Sequence, residues 1–112
     1  DTGPEVVMGS TRLKAGTAEK MVLNMLSTGS MVGLGKTYRN LMVDMRPTNQ
    51  KLRARSVRIV ALAADISMDR AQKLLDESDG NVKIAIAMAL LGTSASEAAE
   101  RLADSQGILA RL

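Results

Sequence analysis

Chemistry in this chain has to be built from a short list of side chains. The sequence holds no Cys and no His, which removes thiol nucleophiles, disulfides, the commonest general base and most zinc sites. Carboxylates, lysines, arginines, hydroxyls and backbone amides remain. Their informative arrangement is in Gly3–Lys20, and within it in Gly9-Ser10-Thr11-Arg12-Leu13-Lys14. A Gly-Ser-Thr turn leading into a helix offers free backbone N–H groups and two hydroxyls, with Ser10 or Thr11 as the cap. Arg12 and Lys14 would fall in the first helical turn, where the helix dipole disfavours cations. An anion resolves that conflict, either a ligand such as a sugar phosphate or a carboxylate from elsewhere in the protein. Glu5, just upstream, can accept hydrogen bonds from sugar hydroxyls or pair with Arg12 or Lys14.

A second concentration of charge lies at Lys51, Arg53, Arg55 and Arg58. It reads either as a solvated helix face or as a contact for an anionic ligand or an acidic partner. The net charge of +3 is too small to argue for nucleic acid by itself. Tyr38 is the sole aromatic residue, so there is no platform on which bases stack. A free-standing helical module holding nucleic acid through Lys51–Arg58 is therefore disfavoured. No metal or cofactor site is expected. No apolar run reaches membrane-spanning length and no signal-peptide pattern is present. The expectation is a soluble cytoplasmic chain that begins, at Asp1, in the middle of something longer.

The elements that must position these residues are helical. Eight methionines with many Leu, Ala and Val make an aliphatic composition that favours helices over sheets. Thr2–Met8 reads as a last strand of a preceding sheet or an extended lead-in. From Leu13 to Leu34, apolar residues recur every three or four positions (Ala18, Met21, Val22, Met25, Leu26), and Gly35 is a stop. Met21 and Met25 read as core. Lys36–Asn49 is non-helical, with Pro47 barring a helix before it, and reads as a surface-hugging linker with one short strand. Thr48 or Asn49 caps a helix to about Ala64 with Leu52, Ser56, Ile59, Val60 and Ala63 inward. Three short helices follow. Ser67 opens one, with Met68, Ala71, Leu74 and Leu75 inward and Asp79-Gly80 ending it. Asn81 caps the next, with Val82, Ala85, Ile86, Ala89 and Leu90 inward and Gly92 ending it. Ser94-Ala95-Ser96-Glu97 is a capping box for the last, with Ala95, Ala98, Ala99 and Leu102 inward. The expected fold is all-α: a long helix plus a small C-terminal bundle with the layout of ubiquitin-associated domains. That likeness is one of shape and implies no ubiquitin binding.

Gly3-Pro4-Glu5, Gly9-Ser10-Thr11-Arg12-Leu13-Lys14, the small residues Ala15-Gly16-Thr17 and Lys20 fill every position of a signature. It resembles that shared by N-acetylmuramic acid 6-phosphate etherases and glucokinase regulatory proteins. The similarity continues through Leu23–Gly29, Gly35-Lys36, Asn40–Asp44 and Pro47–Arg55, covering about half the chain strongly, while the last third matches only in helical layout. The Asn-Leu-Met-Val-Asp stretch and the short bundle resemble the bacterial etherase more than the animal regulator.

The resemblance implies the C-terminal part of an α/β sugar-isomerase (SIS) fold. Residues 1–48 would close the sugar-isomerase domain and residues 49–112 would form the bundle. It implies a homodimer with a sugar-phosphate substrate and neither nucleic acid nor membrane as partner. The implied reaction cleaves the D-lactyl ether of N-acetylmuramic acid 6-phosphate, giving N-acetylglucosamine 6-phosphate and D-lactate in peptidoglycan recycling. One carboxylate would remove the proton beside the ether-bearing carbon and another would protonate the departing oxygen. Those glutamates lie upstream of the signature in the family, so no catalytic residue is assigned here. Glu5, Ser10, Thr11, Arg12 and Lys14 are the candidate substrate- and phosphate-binding residues. A non-catalytic sugar-phosphate sensor of the regulator type is the alternative.

Overall fold

The computed structural model describes residues 1–112 and is mostly helical. The elements run α1 (Ala15–Gly33), β1 (Thr37–Tyr38), β2 (Leu41–Met42), α2 (Gln50–Ala64), α3 (Met68–Glu77), α4 (Val82–Leu91) and α5 (Ala95–Asp104), with a closing 3-10 turn at Leu109–Arg111. They form two compact units, Asp1–Gly33 and Leu34–Leu112. The division falls well before residue 48, because the segment between Leu34 and Asn49 belongs with the bundle. Val43 within it is wholly buried.

In the first unit, Thr2–Met8 forms no strand; it is a bent lead-in. α1 follows with none of its 19 residues buried. Of the aliphatic stripe expected to be core, Met21, Val22, Met25 and Leu26 stand more than half exposed.

In the second unit, the four capping residues expected at helix starts all act. Asn49 accepts from the Leu52 N–H, Ser67 from Arg70 and Asn81 from Ile84. Ser94 accepts from Glu97, whose carboxylate takes the Ser94 N–H in return, completing the box. Gly92 ends α4 with φ 66°, a left-handed conformation glycine reaches without Cβ strain. The linker holds two strands rather than one. β1 and β2 pair antiparallel, Tyr38 opposite Leu41, across a two-residue turn at Arg39-Asn40. Arg39 adopts φ 54° there, with its guanidinium 5.3 Å from the Tyr38 ring centre.

The core is aliphatic: Val57 and Val60 of α2, Leu74 and Leu75 of α3, Val82 and Ile86 of α4, Ala98 and Leu102 of α5, sealed by Val43 and Leu109. α4 packs on α2, α3 and α5 together. It therefore buries Ala87 and Met88, which a one-sided helix would expose. Met68 and Leu90, expected inward, lie exposed near the ends of their short helices. No single helix is long and apolar enough to cross a membrane.

Candidate functional site

The Gly3–Lys20 segment folds as a turn held by one carboxylate. Both oxygens of Glu5 accept from the Lys14 N–H at 3.2 Å, and Oε1 also accepts from the Ala15 N–H at 3.1 Å. α1 begins at Ala15, and the Lys14 carbonyl accepts from Ala18 at 2.9 Å. Glu5 thus serves the free amides at the helix start that Ser10 or Thr11 was expected to serve. The reason is the late start of the helix. The Ser10 hydroxyl reaches no farther than the Arg12 N–H, at 3.5 Å, while the Thr11 carbonyl accepts from Gly16 at 2.8 Å. Arg12 and Lys14 consequently sit before the first helical turn, not in it. Of the ways to reconcile cations with this helix start, the structure uses the internal carboxylate. Glu5 engages backbone amides, and neither Arg12 nor Lys14 forms an ion pair with it.

Thr11 and Arg12 line an open hollow with Gly16, Thr17, Glu19 and Lys20, about 560 Å³ in volume. Glu5, Ser10 and Lys14 lie outside that lining. Lys20, the closing position of the signature, comes from the second turn of α1 to the same hollow as Arg12. Lys20 is not among the candidate residues named from the sequence, although its spacing from Thr17 and Gly16 places all three on one helix face. The hollow offers two cations, threonine hydroxyls and one carboxylate, groups that can hydrogen-bond an anion and hydroxyls. It holds no pair of carboxylates for proton transfer.

The other ionic cluster is structural. Asp44 pairs with Lys36 at 2.9 Å and lies 3.9 Å from Lys83, whose ammonium also donates to the Gly107 carbonyl at 3.0 Å. The Lys36 hydrogen bond holds the Asp44 carboxyl below its ordinary value; partial burial opposes this, and the Lys83 charge adds to it. The cluster ties the segment after the hairpin to α4 and to the chain just before the C-terminal turn.

No protein-family model matches the chain. Among curated proteins, it is 57% identical over 109 residues to the N-acetylmuramic acid 6-phosphate etherase of Cutibacterium acnes, covering 97% of this chain and 36% of that protein. It is 56% identical over 107 residues to the etherase of Pseudoalteromonas atlantica, covering 96% of this chain and 35% of that protein. This chain matches the C-terminal portion of the N-acetylmuramic acid 6-phosphate etherases. The N-acetylmuramic acid 6-phosphate etherase 2 of Vibrio cholerae gives the same result, 56% identical over 97% of the chain. The similarity to the etherases extends beyond the signature, through the hairpin and the whole bundle. The chain spans little more than a third of the length of these relatives, 36% of the first.

Proposed function

We propose that the protein to which this chain belongs is a carbon–oxygen lyase. It would cleave the D-lactyl ether of N-acetylmuramic acid 6-phosphate to N-acetylglucosamine 6-phosphate and D-lactate in the bacterial cytoplasm. The observation that carries this is the 57% identity to an etherase over 97% of the chain, with every signature position filled from Gly3 to Lys20. In this reading Asp1–Gly33 ends a sugar-isomerase domain and contributes one wall of the substrate site, in a homodimer. Ser10 and Thr11 offer hydroxyls, and Arg12 and Lys14 offer positive charge, to the phosphate and sugar. Glu5 shapes the turn through the Lys14 and Ala15 amides, and its remaining lone pairs face sugar hydroxyls. The catalytic glutamates belong to the upstream part that the relatives possess, so the 112-residue chain by itself should release no lactate.

The test uses the full-length protein. Lactate release from N-acetylmuramic acid 6-phosphate should be robust. Ser10→Ala and Lys14→Ala should each raise KM roughly ten-fold, since a hydrogen bond to a charged group is worth about 1.5–3 kcal/mol. A full-length protein that binds the sugar phosphate without releasing lactate would instead be a sensor. Unchanged KM in both variants would give Ser10 and Lys14 a structural role only.

A further inference from the structure

The basic cluster of α2 divides in two. Arg53 turns toward α3 and pairs with Asp76. Lys51, Arg55 and Arg58 do not pair: the ion pairs of the structure are Lys36–Asp44, Arg53–Asp76 and Lys83–Asp44. Those three cations fall at i, i+4 and i+7, one stripe along about 10 Å of helix. They line one side of an open groove of about 550 Å³ whose other side is the hairpin, at Asn40, Leu41 and Met42. No carboxylate lines it. Like charges at this spacing repel, and no acidic residue occupies the first turn of α2 to offset them. Alongside the cations, the same groove shows exposed apolar surface. Met42 is 51% and Leu62 60% exposed, and Ala54 leaves room between the cations.

We propose that this groove docks an acidic amphipathic helix of a partner polypeptide. Carboxylates one helical turn apart would face Lys51, Arg55 and Arg58, and aliphatic side chains would cover Met42 and Leu62. The argument is charge complementarity in register. A single phosphate group is too short to meet a stripe of this length and would leave the apolar side uncovered. A helix carrying Glu at i, i+4 and i+7 repeats the spacing of the cations and brings its own apolar face. Nucleic acid would match the charge, but no aromatic residue lines the groove for its bases to stack on.

The test titrates the 112-residue chain into a fluorescein-labelled helical peptide with Glu at i, i+4 and i+7 and Leu on the adjoining face, read by anisotropy. Binding should saturate. Arg55→Gln with Arg58→Gln should weaken it at least about ten-fold, as loss of two charge-assisted contacts requires. Leu62→Ser should weaken it as well. Arg53→Gln, which removes a cation facing away from the groove, should stay within about two-fold. Circular dichroism confirms that each variant keeps its helix content. Three outcomes overturn the proposal: equal binding of a sequence-scrambled peptide of the same composition, equal binding by the double variant, or displacement by inorganic phosphate at constant ionic strength. The first and last would mark, respectively, a non-specific polyanion-binding surface and a small-anion site.

Discussion

Ser56 sets a hydroxyl, wholly buried and without a hydrogen-bond partner, among the aliphatic residues of α2. A buried polar group left unpaired costs about 1–3 kcal/mol. Ser56→Ala should therefore stabilise the Leu34–Leu112 unit, by roughly 1 kcal/mol once the small loss of packing is set against it, seen as a rise in the urea midpoint. Asp44 works in the opposite sense. Its folded pKa lies below its ordinary value because Lys36 hydrogen-bonds the charged form. The stability it contributes is thus present above the unfolded value, about pH 4, and is lost as pH falls through the folded value. Asp44→Asn should lower the unfolding midpoint at neutral pH, and the gap to the parent should close below about pH 4. A gap constant down to pH 2.5, ~1.5 units below that value, would show that the ion pair contributes nothing. The half-exposed side chains keep the effect modest. At this scale, residue types and spacing in the sequence were enough to single out Gly3–Lys20. They left open which anion answers the helix start, because the Glu5 carboxylate reaches Lys14 and Ala15 across nine and ten positions of chain. Such a reach depends on how the intervening turn folds.

Helix starts carried most of the legible structure at the level of elements. Asn49, Ser67, Asn81 and Ser94 each satisfy amides that the helix itself leaves free, and that chemistry is local to three or four residues. The hairpin was hidden for the converse reason: strands of two residues are too short to show alternation. The inward faces of α3 and α4 were read from periodicity, which fails at the ends of short helices, as Met68 and Leu90 show. It fails again for α4, which has neighbours on three sides and buries Ala87 and Met88. The Leu34–Leu112 unit holds the entire buried core, from Val43 to Leu109. Expressed as residues 34–112, it should fold alone with a cooperative thermal transition. Removal of residues 34–48 should destabilise it by roughly 2–4 kcal/mol, because the wholly buried Val43 is then lost from the core. A truncated unit as stable as the longer one would make the hairpin segment an ornament on the bundle.

Across the whole molecule the two units differ in what they bury. The first offers a 19-residue helix with no buried residue. Its Leu23, Met25 and Leu26 are each about 60% exposed: 59%, 63% and 64%. A contiguous apolar stripe of that kind marks an interaction surface, and most of a helix's stability in a protein comes from the packing of such a face. Gly29 and Gly33, four residues apart on this stripe, have no atom within 4 Å of the space a Cβ would fill, so another backbone can approach closely there. The relatives carry nearly two-thirds of their length outside the matched region, and we propose that in the full-length protein this upstream part covers α1. The 112-residue chain lacks that cover and should bury α1 against a second copy of itself. Sedimentation at micromolar concentration should show a species of twice the chain mass, dissociating on dilution. Leu23→Ser with Leu26→Ser should shift it to monomer while leaving the bundle's thermal transition unchanged. Hydrogen exchange should follow: slow amides from Lys20 to Val32 in the dimer, fast ones in the variant. A strictly monomeric parent with those amides protected would mean that the chain covers the helix by itself, and the division of labour between the two units would have to be redrawn.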